Sequence, residues 1–195
     1  ADGDGVTATV RDLKVYDSTS GNVYVATNGA ELTIGGDCFE TVNTTTHGIV
    51  YSNGSGSIAR MRDLHIYSMQ TSGNAIAVEI QNGGRVESLG GNSFDYDGSG
   101  CAYVQGFYTV DGTGVVSGYR QRGSGASGTY GITCNHASSL IYLGPDVDIV
   151  AATAVITVSL GTAHRGPFVP TGTNVLPEYA SNAAALSAGL EAGDL

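Results

Sequence analysis

Residues 73–100 read GNAIAVEIQNGGRVESLGGNSFDYDGSG. Three short runs lie within them, Ala75–Ile80, Arg85–Leu89 and Ser93–Tyr96. Asn82-Gly83-Gly84, Gly90-Gly91-Asn92 and Asp97-Gly98 set the runs apart. Asn and Gly accept the left-handed backbone of a sharp corner, whereas β-branched and aromatic residues favour extended chain. Three strands and three corners in 28 residues predict one turn of a coil rather than a row of hairpins.

The rest of the chain repeats this unit. Arg11-Asp12-Leu13 returns as Arg62-Asp63-Leu64, Tyr16 as Tyr67, and Ser20-Gly21-Asn22 as Ser72-Gly73-Asn74. Further on, Asn28-Gly29 matches Asn82-Gly83, Ile34-Gly35-Gly36-Asp37 matches Leu89-Gly90-Gly91-Asn92, and Phe39-Glu40 matches Phe94-Asp95. Corner signals also fall at a shorter interval, at Asn28-Gly29, Asn53-Gly54, Asn82-Gly83, Asp111-Gly112 and Asn135-His136. The long repeat is therefore two turns of a coil. A β-sandwich or jelly roll, the second choice, would also show short strands and regular turns, but it has no reason to repeat its own sequence. The expected fold is all-β, a short right-handed parallel β-helix of about six turns and ~30 Å at ~4.8 Å per turn.

Composition agrees. Glycine supplies 30 of 195 residues and charged residues only 13%, while 41% hydrophobic residues are spread along the chain. Such a chain can bury a core and needs many corners. The net charge of −10 and the lack of a basic patch argue against nucleic-acid binding. No run approaches 18 apolar residues, so no membrane-inserting helix is expected, and Ala1 opens an acidic stretch without a signal-peptide pattern. Cys38, Cys101 and Cys134 lie far apart, and with His47, His65, His136 and His164 they give no metal-ligand spacing. They read as small buried hydrophobes, and neither metal nor cofactor is expected.

The organisation expected along the chain is an N-terminal arm at 1–9, the coil at 10–160, a linker at 161–177 and a helical attachment segment at 178–195. Arg120–Gly128 reads as a polar insertion looping out of the coil. Asp146–Leu160 is the most continuously apolar run and reads as a final turn. Ser181–Leu190 reads as the one helix, with Ser181 as N-cap and Leu186 and Leu190 on one face. A stacked coil leaves strand edges open at both ends. Ala1–Gly5 reads as too short and polar to cover one of them. Self-association into a homotrimer is therefore expected.

Candidate sites are few. Two carboxylates that cleave a glycosidic bond with inversion stand ~6.5–9.5 Å apart. Glu40 and Asp95 fall at matching places two turns apart, near ~10 Å at one strand spacing per turn, and Asp97 and Asp37 lie close in register. Each follows a glycine corner, where acidic residues serve turns and solvent. The reading is accordingly non-enzymatic, with Glu40, Asp95 and Asp97 as the residues an enzyme would use. Asp95-Tyr96-Asp97-Gly98 lacks the later glutamate of a calcium loop. Tyr96, Tyr103, Phe107, Tyr108 and Tyr119 cluster within 24 residues. They form a strip for sugar or protein if exposed, and core if buried.

The C-terminal stretch, Pro177-Glu178-Tyr179-Ala180-Ser181-Asn182-Ala183-Ala184-Ala185-Leu186 and on through Gly193-Asp194-Leu195, resembles a segment near the ends of many tailed-bacteriophage structural proteins. There, a Tyr-Ala-x-Asn-Ala-Ala-Ala run precedes Gly-Leu-x-x-Gly-Asp and an aromatic-Arg-Thr stretch. The sequence stops at Asp194-Leu195, short of that last stretch, and the resemblance leaves open whether the chain is trimmed or processed. The body resembles, in style, the β-helical shafts of phage tail fibres and tailspikes. The resemblance implies a virion-surface location, with other capsid or tail proteins as partners and host surface glycan as a further one. A head decoration is favoured over a tail part, and a polysaccharide depolymerase or glycan-binding tail fibre is the alternative.

Overall fold

The computed structural model describes residues 1–18, 22–36, 38–42, 48–68, 72–97, 101–144, 146–151 and 153–165. Corners come first in the chain's logic. Asn28, Asn82 and Asp111 hold φ of 53°, 51° and 61°, the left-handed backbone that short polar side chains tolerate best. Between corners the chain is extended, and every strand pairs in parallel within one sheet. In order the strands are β1 (Thr7–Arg11), β2 (Lys14–Ser18), β3 (Tyr24–Thr27), β4 (Glu31–Gly35) and β5 (Cys38–Val42). Next come β6 (Val50–Asn53), β7 (Ile58–Met61), β8 (Leu64–Ser68) and β9 (Asn74–Asp97). The last four are β10 (Tyr103–Ser124), β11 (Gly128–Leu143), β12 (Val147–Ile149) and β13 (Ala154–Arg165).

The unit that opened the sequence reading is β9. Val78–Gln81 pairs with β6, Arg85–Ser88 with β7, and Ser93–Tyr96 with β8. Three separate strands in one turn thus become three sides of a single bent strand in the next, and the chain is a parallel β-helix. Its second side stacks seven strands, β1-β4-β7-β9-β10-β11-β13. Six steps at ~4.8 Å make a column of roughly 29 Å.

Strand alternation fills the interior. One inward column runs Ala26, Ser52, Ile80, Thr109, Cys134, Val158, and a second runs Tyr24, Val50, Val78, Phe107, Ile132, Ile156. All but the last member of each are buried. Ser52 and Thr109, in the first column, bond to corner backbone, which offsets the burial of their hydroxyls. Ser52 Oγ donates to Ser57 O at 3.0 Å, Ser139 Oγ donates to Thr109 O at 3.0 Å, and Thr109 Oγ1 to Gly112 O at 3.3 Å. All three cysteines are buried, and none is in a disulfide.

The two-turn repeat has a steric cause. Asp12 and Asp63 both turn the chain at positive φ, and each packs its side chain on a glycine of the following turn, Gly36 and Gly91. A Cβ at either glycine would collide with the aspartate. Asp-over-Gly therefore recurs every second turn, and Arg-Asp-Leu recurs with it.

Several expectations change. Arg120–Ser124 does not loop out. It lies in β10, paired with Ser93–Asp97, because Gln121 points inward while Arg120 and Arg122 point outward. Gln121 is buried and its Nε2 donates to Tyr130 O at 3.0 Å. The N-terminal residues are part of the coil rather than an arm. The Ala1 amine donates to Val25 O, Asp2 bridges Thr27, and Gly3 N–H donates to Thr27 O. Residues 1–3 thus lie along β3 at that end of the column, and Ala26 and Ala30 are fully buried. At the other end β13 runs to Arg165, five residues into the expected linker. The expected helix at Ser181–Leu190 lies outside the described residues.

Candidate functional site

The third side of the coil carries the densest outward chemistry. Its corners fall at Asp63, Gly91, Gly118 and Asp146, and two residues beyond each stands an outward side chain: His65, Ser93, Arg120 and Asp148. The pairings His65↔Ser93, Ser93↔Arg120 and Arg120↔Asp148 put these four in one column. A parallel outward column holds Tyr67, Asp95 and Arg122, with buried Ile66, Phe94 and Gln121 pointing inward between them. An open groove of about 310 Å³ runs along the first column and is bordered by Gly91 and Gly118.

Neighbouring turns tie these groups together. His65 Nδ1 and Ser93 Oγ are 2.9 Å apart. Arg120 Nη2 donates to Asp95 Oδ2 at 2.9 Å, and Arg122 holds both the Asp148 carboxylate and its carbonyl. A serine hydroxyl beside an imidazole is half of a nucleophile–base pair, but acyl transfer also needs an orienting acid and oxyanion donors. Asp95 and Asp148, on this side of the coil, are each held by a guanidinium one turn away. What the side offers a ligand is hydrogen bonding: imidazole, hydroxyl, guanidinium and carboxylate groups, with Tyr67 exposed beside them.

The structure separates the sequence-derived residues. Glu40 stands in the register column of Ile66 and Phe94, whereas Asp95 stands in that of Thr41 and Tyr67. The apparent match of Phe39-Glu40 with Phe94-Asp95 is thus one residue out of register, and the two carboxylates do not share a column. Asp97 is exposed at the end of β9, opposite Ser124, and Asp37 lies outside the described residues. Among the described residues no group of three or more His, Cys, Asp or Glu could hold a metal ion.

The aromatic cluster splits in two. Tyr96, Phe107 and Tyr119 are core: Phe107 and Tyr119 meet edge to face at 4.9 Å, and Phe94 packs on Tyr96 at 5.5 Å. Burial pushes the Tyr119 phenol well above its ordinary pKa, with Tyr96 and Asp95 adding to the shift, and burial raises Tyr96 also. Tyr103 is 48% exposed and leans on Tyr130, and Tyr108 Oη accepts from Asn135. No continuous strip exists, because alternate residues of β10 point to opposite faces.

His65, Ser93, Arg120 and Asp148 were missed as a group, although a signal was present. Aligning the third-side corners, and reading the residue two places on, recovers all four. No family model matches the chain, and no curated protein and no solved structure matches it either.

Proposed function

We propose that the chain is a non-enzymatic structural protein of a bacteriophage virion, a short β-helical post displayed on the particle surface. The reading is carried by the resemblance of Pro177–Leu195 to a segment of phage structural proteins. The column supplies the property such a part needs. Every turn is hydrogen-bonded to its neighbours, the interior is filled, and Arg60, Arg120 and Arg122 pair with carboxylates on adjacent turns, which favours rigidity and resistance to proteolysis. A homotrimer of parallel columns, attached through the chain's ends to capsid or tail proteins, is the proposed assembly.

The test is the chain's place in a particle. Antibodies against the coil should decorate intact virions at symmetry-related points, and sedimentation should give three times the chain mass. A stable monomer missing from purified particles would sink the reading.

The groove on the third side favours a second reading, adhesion to host glycan, since mixed polar groups flanked by tyrosine suit sugar hydroxyls and ring faces. Glycan binding lost on Arg120→Ala but kept on Tyr103→Ala would support it. Reducing-end release from capsular polysaccharide, abolished by Asp95→Asn or Glu40→Gln, would instead establish the depolymerase.

A further inference from the structure

The two ends of the column differ. Along the inward column Ala26–Ser52–Ile80–Thr109–Cys134–Val158 the first five side chains are wholly buried, and Val158 is 47% exposed. On the same last turn Val155 is 39% and Leu160 58% exposed, and Ile156 ends the neighbouring column. At the opposite end Ala1–Gly3 lies along β3 over the buried Ala26, while Val6, Leu13 and Tyr16 on that first turn are exposed. Among the described residues the β13 end is thus an open apolar face bounded by unpaired strand backbone, the feature that parallel coils need to cover.

We propose that this face is the docking surface for the chain's own residues 166–195. Three observations select that occupant. The segment leaves Arg165, which pairs with Leu143 on the very turn to be covered, so it is tethered at the face and its local concentration is in the mM range or above. Its thirty residues can reach roughly 100 Å when extended, far more than one turn of the coil requires. Its composition matches the face: Glu178, Glu191 and Asp194 are its only charges, while Phe168, Val169, Leu176, Leu186 and Leu190 offer apolar side chains. The proposal does not depend on the virion reading.

Photocrosslinking in the full chain tests it. A benzophenone maleimide attached to Val158→Cys meets no competing thiol, since Cys38, Cys101 and Cys134 are buried. Irradiation should yield a product of monomer mass whose crosslinked peptide falls within 166–195. A product of dimer mass would assign the face to a second copy and overturn the proposal, as would a monomer with no crosslink. Hydrogen exchange gives an independent readout. Leu186→Asp with Leu190→Asp, in the full chain, should accelerate exchange of the Ala154–Leu160 amides at least tenfold while β6 to β9 keep their protection. Unchanged rates at Ala154–Leu160 would also overturn it.

Discussion

Gly118 rests on Gly90: a Cβ on Gly118 would stand 2.5 Å from the Gly90 Cα. These are successive third-side corners, so the backbones of two turns touch where the chain bends. Gly118 also holds φ of +54°, which costs an L-residue about 1–2 kcal/mol. Gly118→Ala must accept that strain and push two backbones apart. We expect it to lower unfolding stability by at least about 2 kcal/mol. Gly35→Ala is the control, because nothing lies within 4 Å of its Cβ position and its φ is ordinary. It should change stability by less than about 1 kcal/mol. Urea melts of the two variants decide the point, and equal losses would show that corner stacking is not what the glycines provide.

The divided aromatic cluster gives a second contrast. Phe107 is wholly buried against Tyr119, whereas Tyr103 is half exposed on the surface. Phe107→Ala should cost about 3–5 kcal/mol by transfer and cavity terms. Tyr103→Ala should cost less than about 1 kcal/mol and leave the melting curve's slope unchanged. Similar costs would mean that Tyr103 is covered in solution, by a second copy or by another part of the chain.

These contrasts show why the fold was legible and the site was not. Corners are local: Asn28-Gly29, Asn82-Gly83 and Asp111-Gly112 announce themselves through residue type, and their spacing sets the turn. The parallel stack follows from self-similarity. Facing direction is harder, because a one-residue slip reverses every side chain. That slip misplaced Glu40 against Asp95. Gln121 shows the same limit, since an inward glutamine whose Nε2 donates to Tyr130 O looks, in sequence, like part of a polar loop. The His65–Ser93–Arg120–Asp148 column has no local motif at all. It exists only once four turns are stacked.

Alkaline pH should unfold the coil from within. Burial raises the Cys134 thiol to about 11 and lifts Tyr119 well above the usual tyrosine value, while Cys101 is raised by burial with Asp97 adding to it. In each case the folded state favours the protonated form. That stability is fully present below the unfolded-state pKa, near 9.0 for a thiol, and is lost as pH climbs through the folded value. Stability should therefore hold up to about pH 9 and fall toward pH 11. Absorbance at 295 nm should show a late group of phenols ionising together with loss of the β-sheet signal. Tyrosines that all ionise smoothly before unfolding would contradict the buried placement of Tyr119.

Glu79 offers the last test, because it is a buried carboxylate on the outward side of β9. It accepts the Gly48 N–H at 2.8 Å and the Gln81 side-chain amide, and Tyr51 Oη donates to Gln81 Oε1 at 3.1 Å. Gly48 lies so close that a Cβ there would meet the Glu79 backbone nitrogen at 2.5 Å. The carboxylate therefore fixes where the chain enters β6, with a charge-assisted bond that a neutral acceptor reproduces only in part. Glu79→Ala leaves a buried N–H without its acceptor and should cost about 2–3 kcal/mol. It should also speed hydrogen exchange at Gly48 and Ile49 more than at Val86 or Phe94. Glu79→Gln keeps an acceptor oxygen and should cost less than half as much. Equal losses for the two variants would mean that charge, rather than the bond to Gly48, is what this position supplies.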